Sequence, residues 1–415
     1  MTKKKGLLGI FQKKKANIHV FHDLKAFIEG KEPNFLVHET KDKDAPGIFI
    51  FGIGSMGGAI ARQVFEKLSE KKIKIFHFGI GYLGTNNPKE TELFISLGEK
   101  QGDELRNYLN AYDLIEKNSA GVNEKVHELI SKKGFGKTAL VLFGSDSIGV
   151  GGGLYICQTL LEMDIMPIPV IMLPEKGAPL TNKFNAAVAM YKLGLAPIDS
   201  SLNIPFIIID TNRFYEGQKV PADQILRIYP DKIASVIDDI ISSLYSPTEG
   251  FDVGYPEFSS LFYYLRGPSV LFSLNGMFKE LKNNLSEFVS EYLVESVSAP
   301  LDPFKSTRGY VVFQVPKNSV LAEDYLNAQQ LFSNADIYWH FTTREDDQFV
   351  FRGLLTGLGA QKYIKEWMEN TEKLTVRMKE READTFIQGK PVHNIDKLEG
   401  ISPADADFSV EEMKE

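Results

Sequence analysis

The sequence predicts a two-domain α/β protein: a Rossmann-like parallel-sheet domain, a long central helix and a smaller α/β C-terminal domain. Three observations carry this. Apolar strand-like runs end in glycine-rich turns, as at IFIFGIG and ALVLFG. Helical runs alternate with them, the mark of parallel strands covered on both faces. After Asn212 the alternation gives way to one long helical stretch, Ala222–Tyr245, and then to a second α/β region. The division that follows is 1–45 basic N-terminal extension, 46–221 parallel-sheet domain, 222–245 central helix, 246–370 C-terminal α/β domain and 371–415 charged tail.

The elements follow in order. Lys3–Lys5 and Lys13–Lys15 flank the apolar Gly6–Phe11, which reads as a solvated basic arm or as a weak contact with a membrane surface. IFIFGIG is a strand, Ala59–Ser69 carries helical periodicity, and Lys74–Gly81 is a second strand. Helical segments fill Asp103–Lys133. Ala139–Gly144 is a strand that enters a second glycine-rich loop, GSDSIGVGGG, before a helix at Leu154–Met163. Ile168–Leu173 and Phe206–Asp210 are strands, with a helix at Asn185–Leu195 between them. Within 222–245 the apolar positions are Ile225, Ile233, Val236, Ile237, Ile240 and Leu244, and Pro230 is expected to bend the helix or mark a boundary. Gly309–Gln314 and Gln348–Leu355 read as strands, and Ala322–Leu331 as a helix. From about Thr371 the chain is charged and ends in an acidic tail, in which Ala404–Val410 reads as a solubilising segment or a docking peptide for a protein partner.

Bulk composition narrows the classes. The 415 residues are 43% hydrophobic, enough for large cores. A net charge of −8 argues against a general nucleic-acid binder, which needs a basic surface. The single cysteine, Cys157, excludes disulfides within the chain, points to a reducing, cytoplasmic setting and reads as core packing within LYICQTLL. Seven scattered histidines show no ligand spacing, so no protein-ligated metal site is predicted.

GIGSMGGA fits the spacing of a phosphate-binding glycine loop between a strand and a helix. A nicotinamide-dinucleotide site would place an acid at the end of the next strand to hold the ribose. That strand ends HFGIGYLGTNN and has none, so an NAD-dependent oxidoreductase is the weaker reading. A second glycine loop, Gly144–Gly153, is more than a single-nucleotide unit requires, and two such loops can enclose a triphosphate from both sides.

At this point the order of motifs resembles the FtsZ/tubulin superfamily from about Gly47 to Asn370. GIGSMGG stands where that family has GxGGGGxN, and LFISLGEKQG resembles its LIGEK segment. GSDSIGVGGG occupies the place of GGGTGxG, and VIMLPEKG resembles TxPFxxEG. NAAVAMYKLGLAPIDSSLNIPFIIIDTNRF resembles the run in which a helix opens near NA and a strand ends in Asn. STRGYVVFQV, SNADIYWHFTTREDD and FVFRGLLTGLG resemble C-terminal-domain segments.

The resemblance implies a cytoplasmic guanine-nucleotide-binding protein that assembles head to tail into cytoskeletal filaments. GTP/GDP and Mg2+ are then the cofactors, and hydrolysis depends on assembly. It makes 46–221 the nucleotide-binding domain. It implies that Gly52, Gly54, Gly57 and Gly58 face phosphates through backbone amides, with Gly149, Gly151, Gly152 and Gly153 opposite. Glu175 would approach the ribose, and Asn185 with Asn212 or Asp210 would read the guanine edge. Helix capping for Asn185 and a strand-end turn for Asp210 and Asn212 are the structural alternatives. Asp252 or Glu257, in GFDVGYPEF, would stand for the family's NxDxxD acids and position the attacking water.

The chain departs from the pattern in three places. Asp146 sits in the phosphate loop, where like charges about 4 Å apart repel by roughly 1 kcal/mol in water and more at lower dielectric. It disfavours GTP unless it turns away or faces magnesium. Ala59 replaces the first loop's trailing Asn, and the spacing of Asp252 and Glu257 is altered. A hydrolysis-deficient structural or regulatory member of the family is therefore the alternative function.

Overall fold

The computed structural model describes residues 48–70, 75–81, 93–96, 108–133, 138–163, 165–195, 204–215, 222–245, 267–277, 285–320 and 322–385. They build one ten-stranded sheet flanked by helices, in the order β3-β2-β1-β4-β5-β6-β7-β10-β8-β9. The first part comprises β1 (Ile48–Ile53), α1 (Gly54–Glu70), β2 (Ile75–Gly81), β3 (Leu93–Ser96), α2 (Tyr108–Lys117), α3 (Ser119–Lys133) and β4 (Thr138–Phe143). Then come α4 (Ser147–Glu162), β5 (Met166–Leu173), α5 (Leu180–Gly194), β6 (Phe206–Asp210), α6 (Thr211–Tyr215) and α7 (Ala222–Tyr245). The last part is β7 (Pro268–Met277), α8 (Leu285–Ser296), β8 (Arg308–Pro316), α9 (Ala322–Gln330), β9 (Asp336–Arg344), β10 (Gln348–Thr356) and α10 (Gln361–Thr385).

Strands β1 to β6 pair in parallel, so each needs a crossover, and the crossovers cover both faces. Alternation along each strand divides the core in two. Phe49, Phe51 and Ile53 of β1, Val141 and Phe143 of β4, and Phe206 and Ile208 of β6 pack on one face with α2, α4 and α5. Ile50, Leu140, Leu142, Val170 and Ile207 pack on the other, against Ile60 and Val64 of α1 and Ile233, Ile237 and Ile241 of α7. The same α7 cluster reaches Leu271, Tyr310, Val312 and Leu354 on the antiparallel half. One amphipathic helix thus underlies both halves of the sheet, and Arg352 of β10 forms an ion pair with its Asp239.

β7 joins the parallel half through the short register Phe206↔Pro268 and Ile207↔Ser269. Ser298 completes that seam. Its hydroxyl donates to the Ile208 carbonyl at 2.6 Å and accepts from Leu271 N–H at 3.0 Å. Its backbone N–H donates to Leu271 O at 2.7 Å, and its carbonyl accepts from Asp210 N–H at 2.6 Å. β7 and β8 both pair antiparallel with β10, and β9 lies at the edge, parallel to β8. Phe351, Phe272, Phe313 and Trp339 stack across these strands, with ring centroids 5.2 to 6.2 Å from Phe351.

Several boundaries differ from the sequence expectation. α1 begins at Gly54, not Ala59, and α4 at Ser147, not Leu154, so Gly54, Gly57 and Gly58 and Gly149 to Gly153 lie inside helices, while Gly52 is in β1 and Gly144 precedes α4. α5 begins at Leu180, ahead of Asn185. α7 is a single helix through Pro230, whose missing N–H costs one intrahelical bond without ending the helix. α10 continues past Thr371 to Thr385.

Candidate functional site

The carboxyl ends of β1, β4, β5 and β6 lie side by side in the parallel half, where open α/β sheets place their ligands. β1 turns into α1 at Gly54, whose φ of 70° is open to glycine and strained for other residues. Next to it β4 ends at Phe143 and runs into Gly144, and Asp146 caps α4 with extended φ and ψ. Its side chain does not turn away. Oδ1 accepts from Gly149 N–H at 2.9 Å, the usual bond of a capping aspartate. A Cβ on Gly54 would meet Oδ1 at 2.8 Å and Oδ2 at 3.0 Å. A Cβ on Gly149 would meet Oδ2 at 3.0 Å, and one on Gly144 would meet it at 3.3 Å. The two glycine loops do converge, and a carboxylate of the chain itself lies between them.

The other glycines serve close packing. A Cβ on Gly57 would lie 2.0 Å from Leu142 O, so α1 rests directly on the β4 backbone. Gly52 and Gly58 face each other, a Cβ on Gly52 falling 2.9 Å from Gly58 Cα. Gly151, Gly152 and Gly153 lie beyond the four N–H groups that a helix leaves open, so their amides are not free for phosphates. Their expected role is corrected by this placement. Cβ atoms there would strike Tyr108 O at 2.5 Å, Ile53 Cγ2 at 2.8 Å and the Phe143 ring at 2.5 Å. Glycine costs about 1 kcal/mol in an exposed helix, but here it lets α4 lie against α2 and the sheet. Cys157, in the same helix, is fully buried, and burial pushes its thiol pKa up, as expected for core packing.

Asn185 neither starts its helix nor projects into open space. It is 1% exposed in the second turn of α5. Its Oδ1 accepts from Tyr108 N–H at 3.2 Å and its Nδ2 donates to Ser145 O at 3.3 Å. The carboxamide therefore ties the start of α2 to the loop that carries Asp146. Asn185→Leu is expected to cost about 2 kcal/mol in urea denaturation, because a buried donor and a buried acceptor lose their partners. Unchanged stability would show that these bonds are not needed.

Asp210 and Asn212 form a strand-end turn. Asp210 Oδ1 accepts from Asn212 N–H at 3.0 Å and from its Nδ2 at 2.9 Å. Asn212 Oδ1 accepts from Lys176 N–H at 2.9 Å, which closes the half-buried Glu175 loop onto the start of α6. The second Asp210 oxygen accepts from Tyr363 Oη at 3.2 Å. Burial, with the Asp210 charge beside it, pushes the Tyr363 phenol pKa well up, so it stays a donor at neutral pH. Trp367 Nε1 donates to Lys183 O at 3.4 Å, so α10 is pinned to α5 beside the turn. Tyr363 was not foreseen as part of this site, since it lies 153 residues from Asp210 and carries no motif.

Asp252 and Glu257, the arm 1–45 and the tail segment Ala404–Val410 lie outside the described residues. Among the described residues no group of three or more His, Cys, Asp or Glu side chains is placed to hold a metal ion, and no helix is long and apolar enough to cross a membrane.

Solved structures resemble this chain over most of its length. CetZ from Methanosaeta thermophila matches with a TM-score of 0.63 and 14% identity, covering 82% of this chain and 94% of that one. TubZ of Bacillus thuringiensis serovar israelensis, a GTPγS-form protofilament, matches at 0.62 and 15%, covering 84% and 96%. FtsZ from M. jannaschii, solved as an empty dimer, matches at 0.59 and 12%, covering 81% and 92%. The fold is that of the tubulin/FtsZ superfamily. No protein-family model matches the sequence, and no curated protein matches it. Asp146 holds the Gly149 amide and brings a negative charge to the convergence of α1 and α4.

Proposed function

We propose that this chain is a tubulin/FtsZ-type filament subunit that assembles head to tail, with a guanine-nucleotide pocket at the carboxyl ends of β1, β4, β5 and β6. The observation that supports it is the convergence of the Gly54 turn and the Asp146 cap of α4 at that edge, in a fold like those of the CetZ, TubZ and FtsZ structures. Glu175, Asp210 and Asn212 border the same edge and would face a ribose and a base there.

Two forms of this function differ in chemistry. In the first, GTP is hydrolysed on assembly and Asp252 or Glu257 of one subunit positions water at the site of the next. In the second, the subunit assembles without turnover and serves as a structural or regulatory component. The Asp146 carboxylate favours the second, because it repels the charge that a γ-phosphate develops.

Sedimentation and light scattering of the full chain with and without GTP, alongside a phosphate-release assay, separate the two forms. The expected result is pelleting with no sustained phosphate release. Sustained release that is lost in the double variant Asp252→Ala, Glu257→Ala would establish the GTPase form. A chain that neither pellets nor binds GTP would remove both.

A further inference from the structure

A carboxylate lies where the N-terminal ends of α1 and α4 meet. α1 and α4 point their N-terminal ends at the same spot, and each end carries the positive pole of its helix. The Asp146 carboxylate lies there, with Oδ1 on Gly149 N–H. Absent side chains shape its seat: Cβ atoms on Gly54, Gly144 and Gly149 would each come within 3.3 Å of a carboxylate oxygen. Glycines that would cradle a phosphate thus cradle a side chain.

We propose that Asp146 is a built-in anion that fills the phosphate subsite, closing this end of the cleft to di- and triphosphates while holding α1 and α4 together as a bound phosphate would. The proposal rests on reading this edge as the nucleotide edge. A second anion placed about 4 Å from the carboxylate loses about tenfold or more in affinity, since the repulsion grows as the local dielectric falls. Any ligand this edge keeps is then one without phosphate at this position, such as a nucleoside.

The test is thermal unfolding of the full chain, followed by circular dichroism, with pyrophosphate added at constant ionic strength. Wild type, Asp146→Asn and Asp146→Gly are compared. Asparagine keeps an acceptor for the Gly149 amide and removes the charge, so it separates charge from capping. Wild type is expected to show no shift in melting temperature. Both variants are expected to gain a shift that rises with pyrophosphate and corresponds to binding at least about tenfold tighter. Asp146→Asn decides the matter if Asp146→Gly does not fold. Equal stabilisation of wild type and Asp146→Asn would overturn the proposal, as would a folded Asp146→Asn that gains nothing. Guanosine titrated in parallel reads the base side alone. If it binds to no variant, the nucleotide reading of the edge fails, while the pyrophosphate comparison still decides the role of Asp146.

Discussion

Gly57→Ala is expected to destabilise the protein by about 4 kcal/mol or more, or to leave no soluble product. The added methyl would lie 2.0 Å from Leu142 O and 2.7 Å from Leu142 C. Both atoms belong to the β4 backbone, which is paired on both sides, with β1 and with β5, and cannot step aside. Alanine's better helix propensity gives back at most about 1 kcal/mol, so the clash sets the sign. Gly121→Ala is the control. No atom lies within 4 Å of a Cβ there, so it should raise stability by up to about 1 kcal/mol. Chemical denaturation of the pair also distinguishes two roles for Gly57. Were it only a phosphate cradle, the alanine variant would keep wild-type stability and lose ligand binding.

Phe351→Ala should cost about 4 kcal/mol, at the upper end for removal of a buried aromatic ring. Phe351 is 1% exposed and holds together rings from different strands: Phe272 of β7, Phe313 of β8 and Trp339 of β9. These rings are carried by strands paired to one another, so neighbouring side chains can do little to refill the space. Phe351→Leu keeps most of the volume and should cost about 1.5 kcal/mol or less. Urea denaturation that found the alanine variant within 1 kcal/mol of wild type, as a rough limit, would show that this cluster collapses around the gap.

The order of strands and helices in the parallel half could be read from the sequence because each strand there is a nearly continuous apolar run. Two kinds of feature could not. The first is the start of α1 and α4. Glycine is a poor helix former, so GSMGG and GVGGG read as loops. In the structure those glycines are helical because side chains would collide with Leu142, Tyr108 and Phe143, and that depends on packing across the sheet. The second is the set of partners of the site residues. Asn185, followed by an apolar helical run, looks like a cap. Its helix instead starts earlier, at the polar stretch LTNKF, and its amide is spent on Tyr108 and Ser145. The Tyr363–Asp210 bond joins two stretches that share no local pattern. The location of the candidate site was therefore legible from its glycines, and Asp146 was visible as the residue out of keeping. What Asp146 does there, capping α4 between the loops, required the three-dimensional arrangement.

The Ser298 wedge has a mechanical consequence. β6 and β7 share only a brief stretch of ladder, and beyond it the two strands are bridged by the hydroxyl, N–H and carbonyl of this one buried residue. A crease stitched in this way has a fixed opening angle. Any displacement of the Asp210 turn pulls on Ser298 O and, through it, on Leu271. The parallel and antiparallel halves are therefore geared to each other at the tip of the strand that borders the candidate pocket, and rotation between them would have to break the bonds of this serine.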